Sequence, residues 1–346
     1  MISNKYQFAL VDYSWLASRS AFIVSMGKEA GQWNYSDIIR LCIQSIAKLT
    51  NQMGITFDKC IMVHDLWSAE YNGYYRHYLL DGEYKDSRVY LDELEVEKMR
   101  EDPTKTPEEI QKATNEAFFN RMRQAAKQAV RNELTIFPSI GVYGAEADDI
   151  FNIFSTIYNP SGDPSIKKSV IISKDSDLIK CVSPSTDFYK YGKSSEPPHV
   201  WTYEEALETI PDNLKGKISL YWYHSLVEAL GAGHNDVKSP RKKNSNISKV
   251  LEDIVLRGDY SQIEDMERFK KSMSSYELDK FPMYQEIVDT ISSKLMVCGY
   301  IPTLTEFRNF CIKHNLEGIS DRYYSQLASK LDRSLYCEPS PVQKMF

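Results

Sequence analysis

Short apolar runs that end at acidic residues are the feature that most constrains the fold of this chain. Three such runs lead, within three residues, to Asp12, Asp65 and Asp175. A short continuous apolar run is typical of a strand that is buried on both faces, as in a parallel sheet. The carboxyl ends of parallel strands lie at one edge of the sheet, where ligands bind in open α/β folds, so we expect these acids to lie together. The runs are Phe8–Val11, Cys60–Val63 and Val170–Ile172.

Paired acids follow two of the predicted strands and indicate a metal site. One isolated aspartate at a strand end is usually a helix cap, and capping needs only one acid. So many carboxylates cannot stay ionised together without cations. Oxygen ligands without a Cys or His pattern favour Mg²⁺, with Mn²⁺ as a substitute. The paired acids are Glu146, Asp148 and Asp149 before a predicted helix, and Asp175 and Asp177 on one turn.

Composition excludes several classes of protein. No apolar run is long enough to predict a transmembrane helix, and the first residues lack the apolar core of a signal peptide. The six cysteines form no C-x-x-C pair, which favours reduced thiols in a cytoplasmic protein. The formal net charge of −6 argues against a uniformly basic nucleic-acid binder, but not against basic patches around an acidic site.

The predicted fold class is α/β, with a mostly parallel central sheet flanked by helices and an α-helical C-terminal region. Residues 91–110 carry eight acids against three bases and two prolines, which predicts a solvated, mobile insertion rather than core. The other predicted elements are a crossover helix at 36–53, a long helix at 112–134, a strand near 136–142, a helix at 149–158, a loop at 183–199 and helices from Tyr203 onward.

In this order, the acidic motifs resemble those of the structure-specific 5′ nucleases, a family that includes flap endonucleases and phage 5′→3′ exonucleases. The resemblance covers roughly residues 7–250, and the C-terminal third with Gly299–Pro302 is most similar to the ribonuclease H of tailed phages. The matching segments are Leu10–Ser14 with Arg19, Val63–Asp65 with Arg76 and Tyr84–Arg88, Gly144–Asp149, and Ser173–Leu178.

The resemblance implies a PIN-like nuclease domain that hydrolyses phosphodiesters near 5′ ends by a two-metal mechanism in DNA replication or primer removal. Its substrates would be DNA and RNA–DNA duplexes with 5′ ends or flaps, and the protein would be a monomer, in the host cytoplasm if it is viral. The implied ligands are Asp12, Asp65, Asp148 and Asp175 for the first ion, and Glu146, Asp149, Asp177 and Asp236 for the second. Lys85 and Arg88 would neutralise charge at the scissile phosphate.

Basic residues outside the acidic motifs are predicted to contact nucleic acid, although solvated surface charge is the alternative for each group. The domain prediction is a nuclease domain at 1–200 with an arch insertion at about 89–115, a helical region at 201–337 and a tail at 338–346. The predicted nucleic-acid contacts are Arg19, Arg76, Arg121, Arg123, Lys127 and Arg131, with Lys238, Arg241, Lys242 and Lys243 in the basic run 238–249.

Two departures from the family pattern leave alternatives open. Gly233 stands where the family has an acid, and the run 238–249 replaces its glycine-rich hairpin. A binding-only relative that has lost turnover, and a single-strand ribonuclease of the PIN class, are the rival interpretations. The tail 338–346 is either a frayed terminus or a docking peptide for a sliding clamp or single-strand-binding protein, anchored by Met345 and Phe346.

Overall fold

The computed structural model describes residues 5–52, 56–80, 91–134, 137–192, 197–231, 238–296, 304–316 and 318–319. Its strands are β1 (Lys5–Asp12), β2 (Thr56–Val63), β3 (Ser139–Ile140), β4 (Ser169–Ser173), β5 (Thr186–Lys190) and β6 (His199–Trp201). Its helices are α1 (Tyr13–Ser25), α2 (Tyr35–Gln52), α3 (Tyr75–Leu79), α4 (Glu93–Glu101), α5 (Pro107–Glu133), α6 (Ala147–Ile157), α7 (Tyr203–Leu207), α8 (Leu220–Leu230), α9 (Ile247–Glu252), α10 (Met266–Ser274), α11 (Tyr284–Met296) and α12 (Leu304–Lys313).

The chain divides into two compact units that interleave along the sequence. The first unit comprises Met1–Val63, Val89–Ile140 and Lys294–Phe346, and the second comprises His64–Arg88 and Gly141–Ser293. The predicted division into a nuclease domain at 1–200, a helical region at 201–337 and a tail stays a prediction.

In the first unit, β2 pairs in parallel with both β1 and β3. Leu10 and Ile61 are fully buried in neighbouring strands, because helices cover the faces of a parallel sheet and leave no polar alternation. Helices α1, α2 and α5 pack against one another in this unit. The apolar face of α2, with Ile39 and Ile43 buried, matches the predicted crossover helix.

In the second unit, β5 pairs in parallel with β4 and antiparallel with β6. Every residue of β4 is buried. Helix α6 buries Ile150, Phe151 and Phe154, and its N-terminus carries the acids of the Glu146 motif. The predictions of an α/β fold, mostly parallel strands and helices from Tyr203 onward are confirmed.

The loop predicted at 183–199 is wrong in part, and the acidic stretch 91–110 contains structure that the sequence analysis did not predict, while its mobility stays a prediction. The acidic stretch 91–110 contains α4 and the beginning of α5, and Val96 packs with Ala113 and Ala117 in a small apolar cluster. Asp92 and Thr106 begin these helices with capping boxes, which a count of charges does not register. The stretch 183–199 contains the buried strand β5, whose polar ends resemble a loop.

Among the described helices, none combines the length and the apolar character that crossing a membrane requires.

Candidate functional site

The first turn of α6 presents three acids of the second unit. Glu146 is buried at the N-cap, and the Asp149 Oδ2 atom accepts a hydrogen bond of 3.0 Å from the Glu146 backbone N–H. Asp149 therefore helps to cap the N-terminus of α6, where the helix dipole favours negative charge. Asp148 lies between these two acids in the sequence and is half-buried. The hydrogen bond between Glu146 and Asp149 does not involve the Asp148 side chain.

Asp175 lies just beyond β4, at the N-cap of a 3₁₀ helix formed by Ser176–Cys181. Its Oδ1 atom accepts the backbone N–H of Asp177 at 3.1 Å, and its side chain is exposed. This capping bond uses the Oδ1 atom of Asp175. The carboxylate keeps its second oxygen, Oδ2, for an interaction with another group.

Asp148 and Asp175 interact although they follow different strands. The pKa of Asp148 is raised well above its ordinary value, first by burial and then by the negative charge of Asp175, with a smaller contribution from Glu146. Lys180 and Arg76 oppose this rise without cancelling it. Repulsion between hard oxygen donors at a buried position is relieved by a bound divalent cation, so this set of donors fits Mg²⁺ or Mn²⁺ chemically.

The acids that the structure describes do not form a complete metal site. Within the ranges that the structure describes, no three His, Cys, Asp or Glu side chains converge closely enough to hold an ion by themselves. Asp236, a predicted ligand, lies in 232–237, outside the described residues. The ligand set as a whole therefore remains a prediction.

Asp65 reaches the same helix terminus from an earlier segment of the chain. Its Oδ1 atom accepts the backbone N–H of Ala147 at 2.8 Å. The segment around Leu66 is held in place because Leu66 pairs in parallel with Tyr143 and accepts the N–H of Gly144 at 2.8 Å. The second unit thus connects Asp65, two residues after β2, to the acidic first turn of α6.

Gly144 is required by this connection. Its φ of +86° is in the left-handed region, and a Cβ atom there would lie 2.7 Å from the Tyr71 ring. We expect Gly144→Ala to lower the free energy of unfolding by roughly 1–3 kcal/mol, because backbone strain and the clash with Tyr71 add. Gly216→Ala is the matched control, since Gly216 has a φ of +72° and nothing within 4 Å. Equal urea midpoints for the two variants would show that the Tyr71 ring adds nothing to the effect.

Arg76 has a different place from the surface phosphate contact that the sequence predicts. It is only 4% exposed, and its Nη2 atom lies 2.6 Å from Asp149 Oδ1. Burial raises the pKa of Asp149, and the Arg76 guanidinium lowers it in part. Both side chains take part in this ion pair, and the predicted roles of Arg76 at nucleic acid and of Asp149 at the second ion stay predictions.

A second buried cation near the acids was missed by the sequence analysis. The Lys180 Nζ atom donates to both carboxylate oxygens of Glu228, at 2.7 and 2.8 Å, and lies 5.0 Å from the centre of the Tyr276 ring. Burial alone would lower the pKa of Lys180, but Glu228 and Asp148 raise it above its ordinary value. The one sequence signal was Glu228 itself, a single acid in the largely apolar helix α8.

The first unit contains the remaining predicted acid and five predicted cations. Asp12 is buried and caps α1 by accepting the Trp15 N–H at 2.8 Å. On α5, Arg121 is exposed and pairs with Glu93, while Arg123 is half-buried beside Ser18. The side chains of Arg19, Lys127 and Arg131 are half-buried.

The basic run divides into structural and exposed cations. The Arg241 guanidinium donates to the carbonyl oxygens of Leu230, through Nε, and Ser245, through Nη1 at 2.8 Å, so it holds the loop together. Lys238, Lys242 and Lys243 are exposed and lie on the same loop. Lys85, Arg88 and the tail 338–346 lie outside the described residues, and their predicted roles stay predictions.

No protein-family model and no curated protein sequence matches the chain. Among solved structures, a T5 5′-exonuclease with bound zinc is 15% identical, with a TM-score of 0.47, and the alignment covers 94% of this chain and 100% of that chain. A bacteriophage T5 flap endonuclease in a pseudo-enzyme–product complex with DNA and metal ions is 15% identical, with a TM-score of 0.46 and coverage of 94% and 98%. The chemistry of this chain therefore has to be argued from its own residues.

Proposed function

We propose that this chain is a divalent-metal-dependent 5′ nuclease that hydrolyses phosphodiesters near the 5′ ends of DNA or of RNA paired to DNA. The observation that carries the proposal is the electrostatic interaction of Asp148 with Asp175 and Glu146, at positions that follow predicted and observed strands. A carboxylate whose pKa is raised by burial and by neighbouring carboxylates is found more often in functional sites than in helix caps. The order of the acidic motifs along the chain supports the same conclusion.

Within the second unit, the proposed cation ligands are Asp148 and Asp175, with Glu146, Asp65 and Asp177 in supporting positions. When bound, divalent cations would supply a nucleophile that is active at neutral pH and would stabilise charge on the phosphate. Asp65 and Asp175 are held by backbone N–H donors, so their carboxylates are oriented before a cation binds. The metal roles of Asp12 and Asp236, and the phosphate contacts of Lys85 and Arg88, remain predictions from the motifs.

The direct test is product analysis on 5′-labelled substrates. Flap, nicked and RNA–DNA duplexes would be incubated with the protein in Mg²⁺, in Mn²⁺ and in EDTA. We expect short labelled products from the 5′ end with either metal and none in EDTA. Tight binding without products would favour the binding-only alternative, and cleavage restricted to single-stranded RNA would favour the PIN-class ribonuclease.

The exposed lysines of the basic run are proposed to contact the duplex backbone. Replacing Lys242 and Lys243 together by alanine should weaken binding equally for all sequences and reduce the salt slope of log K by about one unit for each phosphate that the variant no longer neutralises. Arg241 is left unchanged because it holds the loop. Lys215→Ala is the control, since Glu208 and Asp212 already neutralise Lys215. A salt slope that does not change in the double variant would identify the run as a solvated loop.

A further inference from the structure

Two buried cations of the second unit are each neutralised by a carboxylate that is not among the proposed principal ligands. Arg76 and Lys180 are 4% and 3% exposed. Arg76 pairs with Asp149 at 2.6 Å, and Lys180 pairs with both oxygens of Glu228. Each pair has no net charge. The two pairs together therefore do not neutralise the negative charges of Asp148 and Asp175.

One tyrosine organises both cations. The Tyr276 ring centre lies 5.6 Å from the Arg76 guanidinium carbon and 5.0 Å from the Lys180 Nζ atom. Its hydroxyl donates to Glu228 Oε2 at 2.9 Å, and its backbone carbonyl accepts the Tyr221 hydroxyl at 2.7 Å. The carboxylate that holds Lys180 is therefore itself held by a partner on another helix–loop segment.

Lys180 lies beside the helix that carries the proposed ligand Asp148, because the Sγ atom of the next residue, Cys181, donates to Asn152 Oδ1 of α6 at 2.9 Å. Its positive charge lowers the pKa of Asp148, and Asp148 in turn raises the pKa of Lys180. A buried charge that loses its partner is costly, so a Lys180 without Glu228 would turn to the nearest remaining carboxylate. An ammonium group paired with Asp148 would occupy the place of a divalent cation.

We propose that Glu228 is a positioning residue that retains the Lys180 ammonium group and so leaves Asp148 and Asp175 available to a divalent cation. This inference rests on the proposed metal-dependent function. It assigns a role in metal binding to a residue of α8 that lies 48 positions from Lys180 along the chain.

The test is a comparison of single and double variants by Mn²⁺ titration calorimetry on the full chain at neutral pH and low salt. Glu228→Gln should weaken Mn²⁺ binding by at least about tenfold. The Lys180 ammonium group, no longer neutralised by Glu228, would repel the ion and pair with Asp148 instead. Lys180→Met should bind Mn²⁺ as well as the unmodified protein or better. The double variant should recover most of the affinity that Glu228→Gln loses, and the Mg²⁺ concentration for half-maximal cleavage should change in the same order.

A purely structural role for the pair predicts a different order, because both single variants would then weaken binding and the double would not recover. Asp187→Asn is the matched control, since it breaks an ion pair of 2.9 Å with Lys168 in the same unit and should leave Mn²⁺ affinity unchanged. If Glu228→Gln does not fold, Tyr276→Phe removes the hydroxyl that holds Glu228 and should still weaken Mn²⁺ binding, by a smaller factor.

Unchanged affinity in Glu228→Gln, or a double variant as weak as that single variant, would overturn the inference while leaving the nuclease proposal intact. Unchanged affinity in Tyr276→Phe would do the same if it is the variant tested. An unmodified protein that binds no Mn²⁺ would overturn the proposed function itself, and the inference with it.

Discussion

Replacing Asp148 or Asp175 by asparagine should lower the cleavage rate by at least about a hundredfold and should stabilise the metal-free protein. Cleavage falls because a carboxylate that we propose as a metal ligand is removed. Stability rises because burial and the charge of Asp175 make ionised Asp148 unfavourable in the folded state. An ordinary structural aspartate would show the opposite combination, with activity kept and stability reduced.

The pH dependence of this stabilisation has a definite sign. The folded-state pKa of Asp148 is raised, so its ionisation costs stability once the pH exceeds the ordinary carboxyl value, and the cost disappears as the pH falls. In EDTA, the difference in melting temperature between Asp148→Asn and the unmodified protein should therefore be largest at mildly alkaline pH and smallest near pH 4. Added Mg²⁺ should reduce the difference, because it stabilises only the protein that binds it.

Asp163→Asn provides the control for both measurements. Asp163 is exposed in the same unit, and the backbone N–H and hydroxyl of Ser165 lower its pKa. Its replacement should leave cleavage unchanged and should not stabilise the protein at any pH. Near-normal cleavage by Asp175→Asn would remove Asp175 from the proposed site.

Replacing Arg76 by methionine should lower the free energy of unfolding by about 3–5 kcal/mol, because it leaves the Asp149 carboxylate buried without its cation. Asp149 is 1% exposed, so water cannot take the place of the guanidinium. The double variant Arg76→Met with Asp149→Asn should recover much of the stability. Urea unfolding of the unmodified protein, the two single variants and the double variant would measure the interaction energy directly.

The charge state of Asp149 gives this prediction a second readout. Burial already raises its pKa and Arg76 opposes that rise, so the pKa increases further without Arg76. The Arg76→Met protein should then lose more stability than the unmodified protein as the pH rises above the ordinary carboxyl range, and the double variant should lose less than Arg76→Met does. Arg257→Met is the comparison, since Arg257 is 63% exposed and pairs with Asp253 at 3.0 Å, and such pairs contribute less than about 1 kcal/mol. A destabilisation that small in Arg76→Met would contradict the buried-pair interpretation.

The sequence alone determined the strands and the acids that follow them. The runs at Leu10, Ile61 and Ile171 are apolar without alternation, and a strand buried on both faces has no other composition available to it. Acids that follow such runs leave the sheet at its carboxyl edge, so the sequence predicted that Asp12, Asp65 and Asp175 lie at one edge. Even so, the strand β5 and the helix α4 escaped detection, because polar ends and a high charge conceal burial of only a few side chains.

The pairing of the buried charges depends on how distant segments pack. Arg76 lies among aromatic and polar residues and Lys180 lies in the apolar run Leu178–Val182, but neither local sequence indicates which carboxylate neutralises the cation. Their partners are Asp149 and Glu228, which helix packing brings to them from 73 and 48 positions away. The periodicity of a sequence indicates which face of a helix or strand is buried. The partner of a buried charge depends on non-local packing, because leaving that charge unpaired is costly.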